Sequence, residues 1–76
     1  VNVFPNPSVG VFNLNVKSSS IEIVYVRVLD VHGRVMKSLK TNPSVTTLID
    51  LNLLPGVYFF EVKQGKEMKI VKVVKL

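Results

Sequence analysis

One histidine, five carboxylates, eight lysines and two arginines carry most of the chemistry open to this chain. His32 follows Asp30 by two positions, so the two could share a face. A metal site needs three or four ligands. With no cysteine in the chain, only Glu22, Asp50, Glu61 and Glu67 are left to complete one. The local reading is simpler: Asp30 caps a turn through its side chain and His32 is part of that turn. A serine nucleophile would need His32 as its base and a third group to orient the imidazole. His32 falls at an exposed hairpin tip, where nothing excludes water. No glycine-rich phosphate loop opens a helix, and a chain this short has little volume for a pocket. The sequence therefore predicts no catalysis, no bound metal and no cofactor.

The lysines are the more unusual feature. Lys63, Lys66, Lys69, Lys72 and Lys75 recur every third residue. In a strand that period places them on alternating faces, so they form no single stripe. Lysine protects an edge strand from unwanted pairing; the same residues could also serve as a recognition tail. Lysine outnumbers arginine eight to two, whereas nucleic-acid readers favour arginine for bidentate contacts. The net charge of +5 reads as a soluble, mildly basic surface with no nucleic-acid partner. Glycan binding on exposed rings has little to work with. There is no tryptophan, the core pattern claims Phe12, Tyr58 and Phe60, and Phe4, Tyr25 and Phe59 are scattered.

The elements that must position these groups are strands. The chain has 76 residues, 47% of them hydrophobic, and valine dominates. That composition argues for one compact core rather than disorder. Residues 1–4 make a short apolar start, and Pro5-Asn6-Pro7-Ser8-Val9-Gly10 a turn. Phe12, Leu14 and Val16 alternate with polar residues, the period of a half-buried strand. Residues 21–29 form a long β-branched run with Val24, Val26 and Val28 facing the core. His32-Gly33 takes the place of Asn-Gly in a two-residue hairpin. Residues 34–39 return, with Val35 and Leu39 on one face and Met36 on the other. Thr47, Ile49 and Leu51 alternate again. Leu54-Pro55-Gly56-Val57 reads as a type II turn. Residues 57–62 bury Tyr58, Phe60 and Val62. Gln64-Gly65-Lys66 turns the chain into a last strand over 68–76. Seven strands and no helix result, the pattern of a sandwich or barrel. The predicted core is Phe12, Leu14, Val24, Val26, Val28, Ile49, Tyr58 and Phe60. No run of about 18 apolar residues is present to span a membrane. The chain opens at Val1, inside a strand signal, as expected of a domain excised from a longer secreted protein.

Several motifs recur in a fixed order over the whole chain. They are Pro5-x-Pro7-x-x-Gly10, then Leu29-Asp30-Val31-His32-Gly33-Arg34-Val35, then Ile49-Asp50-Leu51 with Gly56-Val57-Tyr58-Phe59, and last the lysine-rich Lys69-Ile70-Val71-Lys72-Val73-Val74-Lys75-Leu76. This ordered set resembles the C-terminal sorting domain of the type IX (Por) secretion system of Bacteroidota. The resemblance implies an all-β, immunoglobulin-like antiparallel sandwich of about seven strands, with residues 1–76 forming a single sorting domain. It also implies a task. Such a domain labels an upstream cargo in the periplasm, and the outer-membrane secretion machinery recognises it and exports the cargo to the secreted or cell-surface state. In many members a cell-surface sortase then removes the domain and joins the cargo to an anionic lipopolysaccharide.

The positions carried over are Pro5, Pro7, Gly10, Asp30, Gly33, Gly56, Tyr58, Lys69, Lys72 and Lys75. Most are turn or core residues. Lys69, Lys72 and Lys75, with Leu76, are the surface groups free to bind. Two departures stand out: His32 replaces a common Asn, and the loop over 50–56 is about one residue short. If the last strand lies at a sheet edge, it could be read by strand addition. In isolation it could also exchange between copies as a strand-swapped homodimer. The rival expectation is a non-catalytic immunoglobulin-like accessory module, binding carbohydrate or protein, on a secreted enzyme.

Overall fold

Alternating apolar residues become strands because period two puts one set of side chains on one face of a pleated ribbon. The computed structural model describes residues 1–76 and contains seven strands and no helix. They are β1 (Asn2–Phe4), β2 (Val11–Asn15), β3 (Val24–Leu29), β4 (Val35–Thr41), β5 (Thr46–Asp50), β6 (Gly56–Gln64) and β7 (Glu67–Lys75). All pairing between them is antiparallel. One sheet has the order β1-β2-β5, the other β4-β3-β6-β7. This is an immunoglobulin-like sandwich with a fourth strand on the second sheet.

The eight residues predicted to form the core are all buried, joined by Val16, Leu51, Val62 and Val73. Each large side chain buried this way contributes about 1.5–3 kcal/mol. Phe12 of β2 and Phe60 of β6 meet edge to face across the two sheets, with centroids 5.6 Å apart at 78°. They tie together the same two strands that a disulfide joins in antibody domains.

Four local expectations are corrected. The third strand begins at Val24 rather than at residue 21. Val24 pairs with Gln64 on one side and Thr41 on the other, where both neighbouring strands end. With no ladder left to join, Ser20 and Glu22 are held instead by the Gln64 side-chain amide, which donates to both carbonyls at 3.3 and 2.9 Å. Ile21 is left in solvent.

Val35 and Leu39 do not share a face. A bulge skips Met36, so Lys37 pairs with Val28 and Val35 with Leu29. The extra residue shifts the alternation, and Val35 is exposed while Leu39 packs on the core.

The β3–β4 turn is centred one residue early. The Gly33 N–H donates to Asp30 O at 3.0 Å, so Val31 and His32 are its central residues. Gly33, at φ 81°, supplies the left-handed step of a three-residue hairpin loop. The cause is Asp30, whose Oδ1 accepts from the N–H groups of His32 (2.8 Å) and Arg34 (2.9 Å). His32 therefore needs no left-handed conformation, which explains why it can replace Asn.

The segment before β6 is not a type II turn. Gly56, at φ 155°, is already the first residue of β6 and paired with Lys75. The corner is held by Tyr58, whose hydroxyl donates to Leu54 O at 2.6 Å. A tyrosine near the start of the sixth strand, bonded back to the preceding corner, is a known device of this fold.

Candidate functional site

β7 lies at the edge of its sheet. It exists because the two-residue loop Gly65-Lys66 reverses the chain and pairs Gln64 with Glu67. Backbone groups on an antiparallel strand point alternately toward and away from the neighbour. On β7 the even-numbered residues point away from β6. Part of that outward row is taken by the first turn of the chain. The Asn6 amide donates to Lys72 O at 2.9 Å, and its Oδ1 accepts from the Val74 N–H at 3.0 Å. The Ser8 N–H donates to Val74 O at 3.0 Å, and the Leu76 N–H donates to Ser8 O at 2.8 Å. Ser8 is itself buried, donating through its hydroxyl to Val11 O and accepting from the Gly10 N–H. The proline-rich turn is thus a clasp on the C-terminal half of β7.

This clasp gathers residues that are far apart in sequence. Lys75 pairs with Gly56, and its side chain passes over Gly10, where a Cβ would stand 3.6 Å from Lys75 Cε. Asp30, His32 and Arg34 line a shallow cleft together with Leu54, Gly56 and Tyr58. Pro5, Pro7, Gly10, Asp30, Gly33, Gly56, Tyr58, Lys72, Lys75 and Leu76 therefore share one pole of the sandwich. Lys69 does not, because it pairs with Val62 in the other half of β7. The chain enters at the far pole, where Val1 sits beside Val16, Lys17, Gln64 and Glu67.

Three lysines follow the expected alternation. Lys69 and Lys75 share the parity of buried Val73 and lean to the inner side; Lys72 lies on the outer face. Neither of the two ion pairs involves a lysine. Arg27 holds Glu61 across β3 and β6 at 2.7 Å, and that hydrogen bond, outweighing burial, keeps the Glu61 carboxyl below its usual range. Arg34 bonds Asp30 at 2.7 Å. Burial pushes Asp30 upward, but the N–H groups of Arg34 and His32 and the Arg34 guanidinium together hold it lower than usual. No helix is present that is long and apolar enough to cross a membrane.

Asn6 and Ser8 were not singled out by sequence. Their signal was available: a polar residue between two prolines, and a serine two residues before a glycine, are side chains suited to capping backbone in a turn.

The structure is thus an all-β, two-sheet sandwich of the immunoglobulin-like class with a basic edge strand. The chain is a member of the family of secretion system C-terminal sorting domains, whose model matches residues 2–76. It is a sorting signal for type IX secretion, directing an attached cargo across the outer membrane to the secreted or cell-surface state. Domains of this family are generally non-catalytic, and membership does not favour the accessory-module reading. No curated protein matches the chain.

Proposed function

We propose that the outer-membrane secretion machinery reads this domain at the pole where the motifs and the end of β7 meet, using Lys72, Lys75 and Leu76, with Lys69 extending the surface along β7. The observation that carries this reading is the polarity of the molecule. Val1 lies at one pole and the motif residues at the other. The principal axis is 34 Å long, so an upstream cargo leaves the motif pole clear. Lysines that engage no carboxylate of their own can steer toward an acidic partner surface. The domain acts by binding, without metal, cofactor or hydrolysis. At high concentration the isolated domain is expected to exchange β7 between copies, a swap that sedimentation would show as a doubled mass.

The test is a double charge reversal, Lys72→Glu with Lys75→Glu, on a reporter cargo. Export is expected to fall while the melting temperature stays within a few degrees, and salt should weaken a purified complex of the wild-type domain. A folded variant exported at the normal rate would remove the support for lysine recognition.

A further inference from the structure

The clasp closes only half of an edge. Asn6 and Ser8 take Lys72 O, both groups of Val74 and the N–H of Leu76. By the same parity, the N–H and C=O of Met68 and Ile70 and the N–H of Lys72 point outward with nothing bonded to them. Met68 and Ile70 are 53% and 57% exposed, so no other element covers this stretch.

The remaining edges are blunted in the ways native sheets use. β1 has three residues. β4 carries the bulge at Met36, and two contacts tie it to the other sheet: Lys37 Nζ donates to Asp50 O at 3.1 Å, and the hydroxyls of Thr41 and Thr47 lie 2.6 Å apart. β5 is a short strand of five residues, and Lys37 takes its outward Asp50 carbonyl. From Met68 to Lys72, by contrast, runs an unbulged edge of roughly 14 Å at about 3.4 Å per residue.

We propose that this half-edge takes an extended acidic segment of a partner protein, added as a fifth strand to the sheet β4-β3-β6-β7. The inference rests on the sorting-signal reading and assigns the chemistry of its partner. Lys66, Lys69 and Lys72 surround the open stretch, and Glu67 is the one carboxylate on it. The partner strand therefore carries carboxylates, with apolar residues at alternate positions to pack beside Met68 and Ile70. A second copy of this chain is a poor occupant. Two β7 edges side by side would crowd Lys66, Lys69 and Lys72 of both copies onto one short ribbon with little opposite charge between them, and each copy already carries +5. The clasp sets the far limit, since a strand cannot pass Lys72 without displacing Asn6.

Proline provides the test, because it removes one N–H and leaves the others. In Ile70→Pro the missing N–H is an outward one, so the ladder to β6 survives and strand addition is blocked. Lys69→Pro removes an inward N–H and serves as the unfolding control. Reporter export carried by Ile70→Pro is expected to drop roughly tenfold or more, with β-sheet circular dichroism retained. A folded Ile70→Pro exported at the wild-type rate would overturn strand addition while leaving the sorting function intact; a wild-type fusion that fails to export would instead remove the sorting reading itself.

A second measurement does not depend on the variant folding. Hydrogen exchange is followed on the wild-type domain with a synthetic peptide of alternating valine and glutamate. Slowed exchange at the amides of Met68, Ile70 and Lys72 supports the proposal. Unchanged exchange there overturns it, as does equal slowing by a valine–lysine peptide or by raising the concentration of the domain alone.

Discussion

Replacing Tyr58 with phenylalanine removes one oxygen and one hydrogen bond, the 2.6 Å contact to Leu54 O. The ring stays buried, so the core against Phe60 and Val73 is unchanged. A neutral hydrogen bond contributes a net of about 0.5–1.5 kcal/mol, and leaving a buried partner unsatisfied costs about 1–3 kcal/mol. Leu54 is 81% exposed, so water can take over its carbonyl and the loss should stay near 1 kcal/mol. In a domain of this size that lowers Tm by about 4–8 °C. Tyr58→Ala also empties the ring site, at a cost of about 3–5 kcal/mol. A chain of this length has only about 4–11 kcal/mol in total. Thermal and urea melts of the three proteins should therefore fall in the order wild type, Phe, Ala, with Phe much nearer to wild type. Export of a reporter should be normal for Phe at any temperature where it is folded, because Tyr58 fixes a corner and is not offered to a partner. Equal stability of Phe and wild type would refute the corner bond. Loss of export from a folded Phe variant would refute the structural role.

Other substitutions probe the remaining features. Val26→Asp places an unpaired charge at a fully buried site and should abolish the β-sheet circular dichroism signal. Gly33→Ala should cost about 1–2 kcal/mol in a urea melt. A Cβ there meets nothing within 4 Å, so the cost is that of the left-handed φ alone. His32→Asn should stay within about 0.5 kcal/mol of wild type. Asp30 and Glu61 are both held below their ordinary values of 3.8 and 4.5. Their contribution is complete above those values and is lost as pH falls through the lower values of the folded state. Melts taken down from neutral pH should decline below about 4.5, and Asp30→Asn with Glu61→Gln should flatten that decline.

The strands were legible because the core alternates without interruption in β2, β3 and β6, and no other element accommodates that period. Met36 shows where the signal stops: nothing in Arg34-Val35-Met36-Lys37 announces a bulge, which arises from fitting β4 to a hairpin loop that Asp30 has already fixed. Ile21 and Ile23 have strong β propensity, yet a strand needs neighbours, and both neighbouring strands end at Val24. The lysines of β7 could be read as edge residues from spacing alone. That the edge is half closed could not, because its closure comes from Asn6 and Ser8, whose partners are set by the packing of two sheets.

The bonds from Asn6 to Lys72 and Val74 join positions 66 and 68 residues apart. During synthesis the N-terminal part of a chain emerges first, so Asn6 and Ser8 leave the ribosome long before anything exists for them to hold. A product that stalls or is clipped before Lys72 lacks the groups of Lys72, Val74 and Leu76 that Asn6 and Ser8 hold, so its clasp is missing. The clasp is thus a closure between the two ends of the fold, and a domain lacking residues 72–76 presents a proline turn with nothing to hold.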